Sequence, residues 1–270
     1  DAKATRYSPL DEINRSNVAQ LGEAWNYPFR SFNTAVPLVI DGTMYFPAGN
    51  RIIALDADTG AEKWVFTLPN GDNGQPRNAS TRGVSYWPGD STTAARILVM
   101  SSTKMLALDA AIGQPSAGFG EGGMIDVGLG YGGTPTIAED VAIIGAATLE
   151  NQPGDPGNTR AVVGLPGRKL WEFSTVALPG TPGNETWGNG WKGRSGTNMW
   201  AFSAPVDLER GTVIIPLSSP APNDWGGERP GTNLFGNSIV GLDALTGERI
   251  WHYQAVHHDI WDYDLPCAPT

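Results

Sequence analysis

Ionisable side chains are concentrated in one short segment near the end of the sequence, residues 256–264 (VHHDIWDYD). This segment holds two of the chain's three histidines and three carboxylates, with aromatic residues interleaved among them. Interleaved aromatic residues indicate a partly dry pocket, in which a carboxylate needs a cation or a hydrogen-bond donor. The segment therefore predicts a binding site for a cation or a polar ligand. A solvated acidic loop and a structural hydrogen-bond network at a strand end are the alternatives that the residues leave open.

A strand, a tight turn and a second strand lead directly into this segment. Side chains alternate with period two over 239–244, as in a strand whose two faces differ. Leu245-Thr246-Gly247-Glu248 supplies the turn, because Gly247 can adopt positive φ. The return strand, 249–253, completes a predicted hairpin that ends at the ionisable cluster.

This hairpin belongs to a repeat. The motif Leu-Asp-Ala-x-Thr-Gly-x-x-x-Trp occurs at 55–64 and at 242–251, and weaker copies lie at 105–113 and 161–171. The turn glycines fall at 60, 113, 167 and 247, with spacings of 53, 54 and 80 residues. A repeat of about fifty residues made of short strands predicts an all-β propeller, here with about four blades. Because a blade cannot bury its own faces, we expect Trp64, Trp171 and Trp251 to pack between adjacent blades.

Other stretches add local predictions. Residues 11–18 predict a single helical turn, 21–25 a strand that ends in Trp25, and 34–46 two short strands around the hairpin turn Asp41-Gly42. The range 172–237 is rich in Gly, Pro, Asn and Trp, which predicts a long loop insertion that carries binding or catalysis. Four tryptophans within it argue against the alternative of a disordered segment.

Composition narrows the class of protein. The net charge of −10 argues against a nucleic-acid partner, and an apolar content of 40% is enough for a core without any membrane-spanning run. Cys267 is the single cysteine, which excludes an intrachain disulfide. The first residue is Asp1 and not methionine, which indicates a processed or engineered N-terminus and fits a mature exported protein. The predicted location is the periplasm. A soluble acidic enzyme and a soluble binding protein both remain open.

The repeats, together with three further segments, resemble the quinoprotein dehydrogenases, which use pyrroloquinoline quinone (PQQ) in an eight-bladed propeller. These segments are 7–14 (YSPLDEIN), 82–90 (RGVSYWPGD) and 257–266 (HHDIWDYDLP). Among members of that family the chain is most similar to the membrane-bound glucose dehydrogenases and their soluble relatives. Two positions depart from family patterns. Residues 76–82 lack the vicinal cysteines of the methanol-type enzymes, and Asn78 stands where the glucose enzymes tend to have histidine.

The resemblance implies a fold and an activity. Residues 1–270 would form one partial propeller domain, the N-terminal half of the ring, completed by further chain, a second chain or a homodimer. The implied reaction is oxidation of an alcohol or an aldose sugar. Electrons would pass to PQQ and then to a cytochrome or a membrane quinone, with Ca²⁺ or a lanthanide as Lewis acid. The alternatives are a non-catalytic propeller that serves as a scaffold for protein partners and a sugar-binding, lectin-like propeller.

The resemblance also assigns roles to individual residues. Asp262 matches the general base, which would take the proton from a substrate hydroxyl. The implied metal ligands are Glu150, Asp262, Asp264 and Ser219, the last in place of the family's asparagine. The implied PQQ contacts are Arg82, Thr197, Asn198 and Trp200, with Trp200 as the floor beneath the quinone ring. His257 and His258 are predicted to orient Asp259 and Asp262, because a hard oxygen-ligated cation does not favour imidazole.

Overall fold

A computed structural model describes residues 7–31, 33–163, 167–200 and 204–269. Within this part of the chain, sixteen strands form four four-stranded antiparallel sheets. The first blade consists of β1 (Leu38–Ile40), β2 (Thr43–Ala48), β3 (Arg51–Asp56) and β4 (Glu62–Thr67). The second consists of β5 (Ser85–Trp87), β6 (Arg96–Ser101), β7 (Lys104–Asp109) and β8 (Met124–Asp126). The third and fourth consist of β9 (Thr136–Ala138), β10 (Val141–Ile144), β11 (Thr159–Val163), β12 (Lys169–Phe173), β13 (Val206–Asp207), β14 (Thr212–Pro216), β15 (Ser238–Asp243) and β16 (Arg249–Gln254).

These sheets confirm the predicted all-β propeller architecture, and they correct three local predictions. The hairpin at Asp41-Gly42 joins β1 and β2 as expected. Residues 21–25 do not form a strand. Trp25 is held instead by its indole Nε1–H, which donates to the Ala57 carbonyl at 3.1 Å. The helical turn is a 3₁₀ turn over Val18–Gln20 and lies later than predicted.

The range 172–237 was predicted as one loop insertion, but it contains part of the fourth blade. Strands β13 and β14 and a 3₁₀ turn at Asn184–Trp187 all lie inside it. The sequence pattern hid these strands because β13 is only two residues long and β14 ends at Pro216. In the weakest repeat, Gly164, Leu165 and Pro166 lie outside the described residues.

The order of the strands decides which loops can share a site. Each blade is an antiparallel meander, so the connection between its second and third strands lies at the same edge as the connection to the next blade. The tight glycine turns between third and fourth strands lie at the opposite edge. All candidate site residues lie either between the second and third strands of a blade or after a fourth strand. The topology therefore gathers them on one rim.

Tryptophan side chains dock the first and third blades on the blades that follow them. The indole Nε1–H of Trp64 donates to the Ala110 carbonyl at 3.0 Å, and the ring covers Gly113 of the second blade. Trp171 repeats this contact on Ala244 and Gly247 of the fourth blade. The second blade has no such tryptophan, and Ile125 covers Gly167 in its place. Trp251 differs from the expectation, since it is 40% exposed and no described blade follows it.

Buried apolar side chains fill the spaces between blades. The largest cluster runs through the second, third and fourth blades, and a second one joins the first two. Met100, Ile143 and Val240 are fully buried and lie on inner strands of successive blades. The chain thus builds a rigid β scaffold under the candidate rim. In the described ranges no helix has both the length and the apolar character needed to cross a bilayer.

Replacing the docking glycine Gly113 by alanine tests the tryptophan contact. Gly113 has φ of 68°, and a Cβ there would overlap the Trp64 ring. Gly42 is a matched control, with φ of 69° and nothing within 4 Å of a Cβ. Both substitutions strain the backbone, but only Gly113→Ala must displace an indole. We expect Gly113→Ala to lower the free energy of unfolding by about 1–3 kcal/mol more than Gly42→Ala in urea denaturation. Equal losses would contradict the docking role.

Candidate active site

Three acidic residues from two connections converge on the rim. Glu150 lies in the loop between β10 and β11, and Asp262 and Asp264 follow β16. Burial raises the pKa of the Glu150 carboxyl, and the charges of Asp264 and then Asp262 raise it further. Burial also raises the pKa of Asp262, followed by the charge of Asp264. The Glu150 and Asp262 carboxylates therefore both feel the negative charge of Asp264.

This negative charge is not compensated by basic side chains. Among the described residues, no lysine or arginine forms an ion pair with Glu150, Asp262 or Asp264. Their side chains do not form a preformed group of three His, Cys, Asp or Glu ligands in the described ranges either. Uncompensated carboxylates in a partly buried site favour a cation, which would draw the ligands together on binding.

Asn223 joins the two acidic segments. Its Nδ2–H donates to Asp262 Oδ1 at 2.6 Å, and its backbone N–H donates to the Glu150 carbonyl at 3.2 Å. Asn223 Oδ1 is buried and has no hydrogen-bond partner. A buried orphan oxygen on an amide that contacts a carboxylate fits a hard cation, because such ions bind carboxylate and amide oxygens. Asn198 approaches Glu150 from the other side, with Nδ2 at 3.4 Å from Oε1.

A cavity beside Glu150 is lined by both aromatic and small residues. Its lining includes Trp200, Tyr131 and Asn198 together with Gly132, Ala146 and Ala147. A Cβ on Gly132 would meet nothing within 4 Å, so the cavity is open at this residue. Trp200 Nε1–H donates to Asp264 Oδ2 at 3.0 Å, which fixes the indole relative to the acidic residues. The arrangement fits an aromatic ring system stacked on Trp200 with its edge toward Glu150.

Several residues assigned by resemblance lie elsewhere. The Thr197 hydroxyl bonds the Thr175 hydroxyl at 2.7 Å and is fully buried, so it faces away from the cavity. The Ser219 hydroxyl donates to Asp259 and accepts from Asn237 at 3.0 Å. This arrangement does not support a metal-ligand role for the Ser219 side chain. Its backbone N–H instead donates to Asp264 Oδ1 at 2.8 Å.

Arg82 lies close to the cavity through its backbone. Its N–H donates to the Ser80 hydroxyl at 3.1 Å, and that hydroxyl donates to the carbonyl of Gly132 at 2.6 Å. The described lining of the cavity does not include Arg82 itself. Contact between its guanidinium and a cofactor therefore stays a prediction.

The prediction for His258 is wrong. His258 Nδ1 lies 2.8 Å from the Gly231 carbonyl, and the backbone N–H of His258 donates to the Thr232 carbonyl. Asp259 is oriented instead by Ser219, by Asn237 and by the backbone N–H of Tyr263. Asp262 is oriented by Asn223. The His258 ring thus contacts the neighbouring loop, and His257 is exposed.

Two buried arginines that the sequence analysis missed hold the backbone before Asn223. Arg229 is fully buried, and its Nη2–H groups donate to the carbonyls of Pro222 at 3.1 Å and Asp259 at 2.6 Å. Arg194 Nη1–H donates to the Ala221 carbonyl at 2.5 Å. Burial, and then the nearby Arg194 charge, lower the pKa of Arg229 to about 10. No local motif marks these arginines, since most of their partners are backbone carbonyls, with Asn233 Oδ1 as a further acceptor for Arg229.

The raised pKa of Glu150 predicts a pH-dependent stability of the metal-free protein. A carboxyl whose folded pKa lies above its unfolded value near 4.5 stabilises the fold below that value, and this contribution is lost as pH rises through the folded pKa. We therefore expect Glu150→Gln to raise Tm relative to the unsubstituted chain at about pH 8 and to leave it unchanged at about pH 4. Thermal unfolding after chelation measures this effect.

Glu172 is the matched control of opposite sign. Burial raises its pKa, but hydrogen bonds from Lys169 and Asn158 outweigh burial and lower it overall. The ionised Glu172 carboxylate therefore stabilises the fold at pH values above the pKa that Glu172 has in the unfolded chain. Glu172→Gln removes this contribution and should lower Tm at about pH 8. A fall in Tm for both variants at that pH would contradict the claim that burial and the nearby Asp262 and Asp264 charges raise the pKa of Glu150.

Successive four-stranded meanders docked by tryptophan define a β-propeller, here with an acidic and aromatic cavity on one rim. The family model described as "PQQ: Glucose/ethanol/alcohol dehydrogenase, beta-propeller domain" matches residues 1–270. The chain belongs to this family, which confirms the resemblance drawn from the repeats and the segment 257–266.

Known proteins similar to the chain extend well beyond it. The quinoprotein glucose dehydrogenase of Escherichia coli (strain K12) is 30% identical over 98% of the chain and 37% of its own length. The quinohemoprotein alcohol dehydrogenase of Comamonas testosteroni is 32% identical over 97% of the chain and 39% of its own length. The chain therefore spans less than half of these relatives.

Solved structures show the same fold. The crystal structure of the quinohemoprotein alcohol dehydrogenase from Comamonas testosteroni superimposes with a TM-score of 0.83 at 29% identity. The match covers 99% of the chain and 42% of the Comamonas testosteroni chain. A europium-containing methanol dehydrogenase superimposes with a TM-score of 0.78 at 24% identity. That match covers 98% of the chain and 49% of the methanol dehydrogenase chain, and it shows similarity of fold alone.

Proposed function

We propose that the protein oxidises an alcohol or an aldose sugar with PQQ as the electron acceptor and Ca²⁺ or a lanthanide as the Lewis acid. The observation that carries this proposal is the convergence of Glu150, Asp262 and Asp264 beside the cavity lined by Trp200. The names of the relatives support the same chemistry, since they are quinoprotein glucose and alcohol dehydrogenases.

Each residue of the rim has a distinct role in this reaction. PQQ would accept hydride from the substrate carbon, and the cation would polarise its quinone carbonyl. Asp262 takes the proton from the substrate hydroxyl, and its raised pKa brings it closer to the operating pH of a general base. Asn223 holds Asp262 Oδ1, while Asp264 fixes the Trp200 indole beneath the ring. Glu150 lines both the ring cavity and an adjoining cleft, in which substrate would lie. The other residues of this cleft include Asn151, Asn223, Asp224 and Trp225.

The hypothesis of a dehydrogenase is favoured over that of a non-catalytic scaffold. A scaffold gains nothing from three uncompensated carboxylates, because their mutual repulsion destabilises the fold. Two relatives have an electron acceptor in their names, quinate/shikimate dehydrogenase (quinone) and methanol dehydrogenase (cytochrome c), and we propose a cytochrome or a quinone as the acceptor of this protein. We also propose a periplasmic location. Cysteine is absent from 76–82, so the methanol-type disulfide has no counterpart there.

The exposed outer face of the fourth blade supports completion of the ring. Ile250, Trp251 and Tyr253 on β16 are 54%, 40% and 65% exposed. We propose that Trp251 docks on a turn glycine of a further blade, supplied by additional sequence or by a second chain, such as a homodimer partner. Native mass spectrometry of the 270-residue chain distinguishes a self-assembled ring from a monomer that needs other sequence.

Reconstitution tests the proposed function. The protein in its complete natural form is stripped of metal and quinone, then incubated with PQQ and with Ca²⁺ or La³⁺. Reduction of an artificial electron acceptor is followed with a panel of primary alcohols, polyols and aldoses. We expect dye reduction that requires both PQQ and the cation. Absence of PQQ binding in the presence of either cation would overturn the proposal.

A further inference from the structure

The cation site of this chain lacks an expected neutral oxygen ligand. By resemblance, position 219 should provide an asparagine, but Ser219 stands there with its hydroxyl committed to Asp259 and Asn237. The serine side chain is 1% exposed and belongs to a closed buried network. Ca²⁺ and lanthanides take six or more oxygen ligands, so the loss of one matters for affinity.

Asn223 lies where the missing oxygen is needed. Its amide lies between the two carboxylates, since it donates to Asp262 and also hydrogen-bonds the Glu150 carboxyl. Donation by Nδ2 leaves Oδ1 without a partner, although that atom is buried. An unpaired buried acceptor destabilises the fold, and a bound cation would remove this cost.

The backbone around Asn223 is held rigidly. Arg194 and Arg229 bond the carbonyls of the two preceding residues, and the Asn223 N–H bonds Glu150. The Asn223 side chain therefore has a fixed origin relative to Glu150. A preorganised neutral ligand loses little conformational entropy when the ion binds.

We propose that Asn223 Oδ1 is a ligand of the cation in this chain, replacing the side-chain oxygen that Ser219 does not offer. The inference rests on the proposed function, because it concerns the ion that the proposed reaction uses. It predicts a cation held by Glu150, Asn223 and the carboxylates that follow β16, with the amide ligand supplied four residues later than the resemblance implies.

Terbium luminescence tests the proposal without relying on activity. Tb³⁺ is titrated into the metal-free protein and its emission is sensitised by tryptophan, since Trp200 and Trp225 line the cavity and the adjoining cleft. Emission lifetimes in H₂O and D₂O then count the waters on the ion. We expect Asn223→Ala to weaken Tb³⁺ binding at least about tenfold and to add about one bound water, because water fills the vacated ligand position.

Two further variants keep the proposal falsifiable if Asn223→Ala folds poorly. Asn223→Asp retains an oxygen and adds charge, so it should bind Tb³⁺ at least as tightly as the unsubstituted protein. Asn151→Ala is the matched control, because Asn151 lines the same cleft and has no hydrogen bond to the carboxylates among the described contacts. It should change neither the affinity nor the water count. Near-ultraviolet circular dichroism checks that each variant is folded.

The outcomes separate this inference from the proposed function. If Glu150→Ala abolishes Tb³⁺ binding while Asn223→Ala leaves affinity and water count unchanged, the site stands and the role of Asn223 is overturned. If Glu150→Ala has no effect on Tb³⁺ binding, the cation site of the proposed function itself is overturned. An increase in bound water for Asn223→Ala that Asn223→Asp reverses would support the inference.

Discussion

Asp262→Asn is expected to lower kcat by about 10²–10⁴-fold, the range that a positioned general base contributes. The asparagine side chain has nearly the same shape and can still accept from Asn223, so the loop should stay in place. It cannot take a proton from a substrate hydroxyl. Steady-state dye reduction at saturating PQQ and cation measures kcat, and KM should change much less than kcat.

Asp224→Asn is the matched control for this prediction. Asp224 is exposed in the same cleft and raises the pKa of Asp262 by its charge. Its removal should shift the acidic limb of the rate profile to lower pH, because Asp262 then ionises more readily. The maximal kcat should stay close to that of the unsubstituted enzyme. Equal losses of kcat for both variants would show that Asp262 acts only through general electrostatics.

Trp200→Ala is expected to weaken PQQ binding by about 10- to 100-fold, because stacking on an aromatic side chain contributes about 1–3 kcal/mol. The indole is one of two aromatic side chains among the described lining of the cavity, the other being Tyr131, and Gly132, Ala146 and Ala147 leave room for a ring. Titration of the quinone-free protein with PQQ, followed by quenching of tryptophan emission, measures the affinity.

Trp200→Phe separates stacking from positioning. Phenylalanine keeps an aromatic face but loses the Nε1–H that donates to Asp264. We expect PQQ affinity for Trp200→Phe to lie between those of the unsubstituted protein and Trp200→Ala. Asp264→Asn removes the charged acceptor and keeps the indole, so it should affect PQQ binding less than Trp200→Ala. Unchanged affinity for Trp200→Ala would exclude this ring as the floor of the site.

The fold could be predicted because its determinants are local. Each blade repeats the same turn glycine, and in the first and third blades the tryptophan four residues after it covers the turn glycine of the next blade. Gly60, Gly113, Gly167 and Gly247 all adopt positive φ between 68° and 79°. Strands β13 and β14 escaped prediction because they are short and lie among residues typical of loops.

The site could be predicted only in part, because hydrogen-bond partners depend on contacts far apart in sequence. Glu150, Asp262 and Trp200 were identified by resemblance, and the structure brings all three to one rim. Ser219 and Thr197 were assigned to the same site, yet their hydroxyls bond neighbouring buried groups. Asn223 was missed because its role depends on two loops that meet only in the folded chain.

Anomalous diffraction from crystals of the protein with PQQ and La³⁺ tests the proposed site most directly. We expect one strong peak within bonding distance of Glu150 and beside Asp262, with the quinone stacked on the Trp200 indole. A peak held by other residues, or a quinone bound away from Trp200, would contradict it.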